Sequence, residues 1–440
     1  MSLTSAISNA LSGLGATSLG AEIVSSNLSN ASNAAYAKRE VSLVSNLNGG
    51  VQVTGIQRHR DAAVQASLNA QSAQAAAAEV RTHALAAVDA AVGTVGDSGS
   101  LTTALDDMQS TLISAAAQPE SDVRLNQVLY AAEDLAARFN AIGDAIQAER
   151  LSADHAVARD VETVNEVLSQ IEKLNKQIIS TKENGRGAAT LSDQRDQAIA
   201  TLSELIPVRT LERDNGSVAL VSRGGQVLLD GKAVTLEFTP VQGMDEAMTL
   251  DSGALSGISI VGGDGDDISN RLIGGQIAAT LQVRDSLMPQ ASNELAAERQ
   301  SMLDATAFDG AGLFTEVDGV VSVNEQLSAD PWRLRDGFTP TSPGYVANAG
   351  FLDTLAAGTE SISDSLGNYV SKQSAQLFRA EMSETSANAR YTALQEAAAS
   401  EGVDSDAELQ SLLMIEKLYT ANARVISVVD EMMDTLMRMT

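Results

Sequence analysis

Apolar positions at the two ends of the chain recur every three or four residues. In the first segment Leu3, Ile7, Ala10, Leu14, Thr17, Ala21, Val24 and Leu28 step by alternating fours and threes. That is the heptad period of a helix lying along another helix, interrupted only at Thr17. Leu11 adds to the same candidate interface. The run Asn27-Leu28-Ser29-Asn30-Ala31-Ser32-Asn33 then caps and turns. In the last segment Leu412, Ile415, Tyr419, Asn422, Ile426, Val429, Met433 and Leu436 step by threes and fours, with Leu418, Val425, Met432 and Met439 on one flank. This face is wider than a two-stranded seam, so more than one neighbour must cover it. Asn422, alone as a strongly polar residue on that stripe, is a candidate for fixing axial register. Period alone leaves two readings open: core helices of a globular domain, or terminal helices that assemble.

Between the ends the period changes twice. Leu101, Leu105, Met108 and Leu112 predict one amphipathic helix, stopping before Pro119. Leu125, Leu129, Ala132, Leu135, Phe139, Ile142 and Ile146 predict a second. Val157, Val161, Val164, Leu168, Ile171 and Ile178, with Asn175 on the stripe, predict a third. After Pro207 the hairpin signals Asp214-Asn215-Gly216, Arg223-Gly224-Gly225 and Asp230-Gly231 separate short alternating runs. The expected fold class is mainly α: a long helical bundle or rod with terminal coiled-coil helices and a small inserted antiparallel β domain. The expected divisions are a terminal helix at 1–36, a linker at 37–60, a helical domain at 61–206 and the β insertion at 207–270. A returning helix follows at 271–308, then loops and short strands at 309–352, helix at 353–400 and a terminal helix at 401–440.

Composition narrows the chemistry. The 440 residues carry 29 Lys and Arg against 57 Asp and Glu, a formal charge of −28. Such a chain repels nucleic acid phosphates and anionic membranes, so neither is an expected partner. Aromatics are 3% and cysteine is absent, which leaves no aromatic-lined pocket, disulfide or thiolate chemistry to expect. No apolar run reaches the ~18 residues of a membrane span. The first basic residue is Lys38, so the chain does not open like a secretory signal peptide, and the cytoplasm is the default unless another export route exists. His59, His83 and His155 form no familiar metal motif, and His155 beside Asp154 reads as a solvated face. Gly96-Asp97-Ser98-Gly99 has the look of a serine nucleophile loop, but between Ala-rich helices it reads as a connection with Ser100 as the next helix cap. Gly262 through Asp267 matches the start of a calcium-binding nonapeptide, but one copy cannot stack, so an acidic turn is expected. Catalytic, cofactor and metal sites are expected to be absent.

The two ends carry a resemblance. Ala10-Leu11-Ser12-Gly13-Leu14, then Ser26-Asn27-Leu28-Ser29-Asn30-Ala31 and Tyr36-Ala37-Lys38-Arg39, resemble the N-terminal signature of bacterial flagellar rod and hook proteins. Leu409 to Leu413, Tyr419 to Ile426 and Asp430 to Leu436 resemble their C-terminal signature. Within that family Leu191-Ser192-Asp193-Gln194-Arg195-Asp196-Gln197, and Gly274 to Leu281 with Val283-Arg284-Asp285, resemble the hook-associated protein 1 branch. The resemblance implies a structural, non-enzymatic axial protein joining the flagellar hook to the filament-side junction protein. It implies export through the flagellum's own type III apparatus without signal cleavage, and an extracellular place at the hook–filament junction. It also implies self-association of the ends into coiled-coil layers around the channel, and an export chaperone on the C-terminal helix. Alternative readings are a hook or distal rod protein of the same family, or a cytosolic helical adaptor.

Overall fold

A computed structural model describes residues 3–33, 35–46, 49–94, 96–184, 187–344, 349–400 and 402–439. The fold is mainly α, with small antiparallel sheets. It opens with α1 (Leu3–Ser29), a hairpin of β1 (Lys38–Ser45) and β2 (Val51–His59), and helices α2 (Ala62–Val92), α3 (Leu101–Ala117), α4 (Asp122–Asn184) and α5 (Ala188–Leu205). Strands β3 (Val208–Glu212), β4 (Val218–Ser222), β5 (Val227–Asp230) and β6 (Lys232–Ala233) form one antiparallel sheet in that order. Strand β7 (Leu236–Glu237) pairs with β8 (Ser259–Ile260). Helix α6 (Gly275–Gln282) passes through a π-helical turn, Val283–Leu287, into α7 (Met288–Ala305). The short pairs β9 (Ala307–Phe308) with β10 (Ala311–Gly312) and β11 (Phe314–Val317) with β12 (Val320–Val323) follow. Helices α8 (Glu325–Ala329), α9 (Arg333–Asp336), α10 (Gly350–Ser400) and α11 (Ser405–Met439) complete the chain.

The chain folds as two compact units. The first holds Met1–Ala73, Val164–Thr235 and Asn388–Thr440; the second holds Gln74–Thr163 and Leu236–Ala387. In the second unit the predicted stripes face inward. Leu101, Leu105, Met108 and Leu112 of α3 and Leu125, Leu135, Phe139 and Ile146 of α4 are buried with Leu295 and Met302 of α7 and Leu352 and Leu366 of α10. Gly358 of α10 is packed so closely that a Cβ there would collide with the carbonyl of Ala305. Ser100 caps α3 by accepting from the Thr103 N–H, as its position after the glycine loop predicts.

Several expectations change. The stripes ending at Ile146 and beginning at Val157 belong to one helix, α4, because residues 147–156 contain no Gly or Pro to stop it. The stretch 207–270 is shared: β3 to β6 belong to the first unit and β7–β8 to the second. The expected linker at 37–60 is a β-hairpin, whose turn carries Gly49 and Gly50 at φ +90 and +81. The alternation of Val41 with Leu43 and of Val51 with Val53 around that glycine pair is the local cause. Asp154 and His155 do not lie on a solvated face. Arg284 Nη1 donates to Asp154 Oδ1 at 2.7 Å, Asp154 Oδ2 accepts the Val241 N–H at 2.7 Å, and His155 Nε2 lies 2.9 Å from Val241 O. The partner that buries this acid is distant in sequence, so local spacing could not reveal it.

One device recurs where helices receive strands. Asn175 donates to the Val218 carbonyl at 2.9 Å and accepts its N–H at 3.2 Å. Asn140 does the same for Val321, at 2.8 and 2.9 Å. A carboxamide has the donor and acceptor spacing of a peptide group, so it completes a strand residue's backbone pairing from a helix.

Candidate assembly interface

Within the first unit α1 and α11 pack antiparallel. Three stations define their register, each a heptad from the next. Asn27 Nδ2 donates to Glu408 Oε2 at 3.0 Å. A Cβ on Gly20 would lie 3.2 Å from Ile415 Cδ1, and one on Gly13 would lie 2.7 Å from Asn422 Nδ2. The row of α1 that meets α11 is therefore Gly13, Gly20 and Asn27, about one position round the helix from the apolar stripe read in the sequence. Glycine permits the close approach but does not register as apolar, which is why the pattern alone misplaces the seam.

Asn27 uses its whole hydrogen-bonding capacity. Besides Glu408, its Nδ2 donates to the Arg39 carbonyl at 2.9 Å, and its Oδ1 accepts the Arg39 N–H at 3.1 Å and the Tyr36 hydroxyl at 2.8 Å. It is 1% exposed and Glu408 3%, and Lys38 Nζ approaches Glu408 Oε1 at 3.2 Å. The hairpin is tied onward to α5. Arg39 reaches Asp193 at 2.6 Å, Arg58 reaches Asp193 at 2.6 Å and Asp196 at 2.7 Å, and Arg60 reaches Asp196 at 3.2 Å. Burial opposes the Arg58 charge, but the carboxylates of Asp196 and Asp193 outweigh it and raise its pKa above the ordinary value. Arg195 points the other way, donating to the Gly216 carbonyl at 2.8 Å in the β3–β4 turn, and burial lowers its pKa.

The motif residues Asn27, Tyr36, Asp193 and Asp196 thus meet in one network. Gln194 and Gln197 are exposed, and Asn30 donates to the Ser26 carbonyl. Glu408, Arg58 and Arg60 escaped the sequence reading. Glu408 lies one heptad before Ile415 on the stripe, and Lys38, Arg39, Arg58 and Arg60 are a basic cluster in an acidic chain; those were the available signals.

The predicted interface residues divide by cover. Val24 and Val429 are buried; Leu3, Ile7, Leu14, Leu28, Leu412, Ile415, Asn422 and Ile426 are half-buried. Leu11, Tyr419, Met433 and Leu436 are exposed, joined by Leu409, Leu413, Met414, Leu418, Val425 and Val428. After α1 has packed, α11 still presents an apolar row along most of its length. Charge follows the same division. The first unit has 17 Lys and Arg against 21 Asp and Glu, a net −4; the second has 12 against 36, a net −24. Among the described residues no group of three His, Asp or Glu is placed to hold a metal ion, and no helix is long and apolar enough to cross a membrane. Asp264, Asp266 and Asp267 are exposed, and Asp267 accepts from Ser269.

Comparison with known proteins finds family models, curated proteins and a solved structure similar to parts of this chain. The family model of the flagellar hook-associated protein FlgK helical domain matches residues 85–306. The model of the flagellar basal body rod FlgEFG protein C-terminal region matches residues 394–439. Flagellar hook-associated protein 1 of Escherichia coli K12 is 26% identical over 241 residues, covering 52% of this chain and 44% of that protein. The Salmonella typhimurium protein of the same name is 28% identical over 243 residues, covering 52% and 43%. The Bacillus subtilis one is 24% identical over 220 residues, covering 46% and 43%. The match thus spans less than half the length of these relatives. The flagellar hook junction protein FlgK of Burkholderia pseudomallei superposes with a TM-score of 0.48 at 22% identity, over 57% of this chain and 46% of that one.

Proposed function

The chain belongs to the flagellar hook-associated protein FlgK family, and from that premise we propose that it is a structural component of the flagellar axis, joining the hook to the filament side. Copies self-associate through the terminal helix pair, and the hook protein and the filament-side junction protein flank the layer they form. The chain leaves the cell by the flagellar export route without signal cleavage, with an export chaperone on α11 beforehand.

The observation that carries this reading is the exposed apolar row of α11. Leu418 is 46% exposed, Val425 44% and Met432 45%, each one heptad from the next, in a helix already packed on one side by α1. A contiguous apolar surface of this kind marks an interaction site. The near-neutral charge of the same unit lets copies approach, whereas the strongly acidic second unit opposes close self-packing.

The test is complementation of a strain lacking its own copy with a chain carrying Val425→Glu and Val428→Glu. The expected result is secreted protein and hooks without filaments. Full-length filaments in that strain would overturn the reading. Protein retained inside the cell would assign the face to the chaperone alone.

A further inference from the structure

We infer that Glu408, through its hydrogen bond to Asn27, selects the register between the two ends of the chain. The inference rests on the reading of α1 and α11 as the assembly element. A register between them decides which residues of α11 are covered by α1 and which are left for neighbouring copies.

Packing alone selects weakly. The α1 row offers Gly13 and Gly20 to Asn422 and Ile415. Since neither glycine has a side chain, each receives an isoleucine or an asparagine with similar ease. Asn422, which the sequence suggested as the register residue, faces a glycine and meets no side-chain amide there, and the slip that moves it to Gly20 changes little for it.

The third station discriminates. Sliding α11 by one heptad in one direction places Glu408 opposite Gly20, leaving a carboxylate without the Asn27 donor. Sliding it in the other direction places Asn27 opposite Ile415, leaving an amide N–H facing an apolar side chain. Glu408 and Asn27 are both almost fully buried, so either slip strands a buried polar group. Asn27 cannot turn away to compensate, because Arg39 and Tyr36 occupy its remaining donor and acceptor positions. Lys38 holds the other carboxylate oxygen. The hairpin that supplies Arg39 is fixed to α5 by the Asp193 and Asp196 ion pairs, so the register is referred to a folded element outside the two helices.

The absence of cysteine makes the register directly readable in the full chain. Gly13→Cys with Asn422→Cys reports the register described here, and Gly13→Cys with Ile415→Cys reports a slip of one heptad. Disulfide geometry tolerates only short Cα separations, so each pair closes in one register alone. With Glu408 present the first pair is expected to oxidise in at least about tenfold excess over the second, matching the loss of a buried polar partner. In Glu408→Leu the second pair is expected to close to a comparable extent. In Glu408→Gln, which still accepts from Asn27, the excess of the first pair is expected to persist.

Retention of the first pair alone in Glu408→Leu overturns the inference. So does slipping in Glu408→Gln, and so does loss of both disulfides in Glu408→Leu, which would mean that Glu408 holds the helices together without choosing between registers. Because the assay uses the isolated chain, its failure is separate from failure of the junction assay.

Discussion

Helices α4 and α11 carry apolar stripes of the same kind, and the two meet opposite ends. Along α4 the stripe from Leu125 to Ile146 is buried against neighbours from the same chain. Along α11 only Glu408 and Val429 are buried, although the stripe is wider. Periodicity therefore states that a face will be covered, not by whom. What separates the two cases is the supply of neighbours: the second unit brings α3, α7 and α10 to α4, whereas α11 receives α1, whose contact row is largely glycine.

Breaking the comparison at its strong end gives the largest effect. Phe139→Ala, within the second unit's core, is expected to destabilise that unit by about 3–5 kcal/mol, read from denaturant midpoints. A loss under about 1 kcal/mol would mean that the α4 stripe is not a packed core. Next comes the network joining hairpin and α5. Asp193→Ala removes the shared acceptor of Arg39 and Arg58 and leaves two half-buried guanidinium groups, and about 3 kcal/mol is expected to be lost. Hydrogen exchange should locate the loss in β1–β2, and unchanged protection there would contradict the assignment.

Asp160 sharpens the contrast through pH. It is buried in the second unit, with Gln276 Nε2 at 3.3 and 3.2 Å from its oxygens, and burial pushes its carboxyl up to about 6. A folded pKa above the unfolded one favours the neutral acid in the fold. The associated stability is complete below the unfolded pKa of 3.8 and is lost as pH rises through about 6. Asp160→Asn should raise stability at pH 8 by about 2 kcal/mol and leave it unchanged at pH 3.5. Parallel pH–stability curves for the two proteins would rule this out. The smallest stability effect belongs to α11: Val428→Ala, on the exposed row, should change stability by less than about 0.5 kcal/mol while weakening self-association. Equal self-association would remove Val428 from the interface.

Much of the fold was legible in the sequence because it is written in local period. The helices of the middle, the hairpin turns at Gly216, Gly225 and Gly231, and the Ser100 cap all follow from nearest-neighbour chemistry. The polar groups that were misread or missed share one cause, a partner far along the chain. Asp154 is buried by Arg284, Asn27 by Glu408, and Arg58 by Asp193, each pair separated by more than a hundred residues. The candidate interface was half legible. The wide α11 stripe was plain, but the seam on α1 is made of glycine and asparagine, residues that an apolar pattern passes over.

The central claim is that the apolar row of α11 is covered by neighbouring copies, and its methionines report this directly. Met414, Met432, Met433, Met437 and Met439 are exposed, while Met108, Met288 and Met302 are fully buried within the second unit and serve as internal controls. Brief peroxide treatment followed by peptide mass analysis measures sulfoxide at each position. In the isolated chain the α11 methionines should oxidise readily and the three controls slowly. In purified flagella the α11 methionines should fall to the level of the controls. Equal oxidation of the α11 methionines in the free and assembled protein would contradict the account.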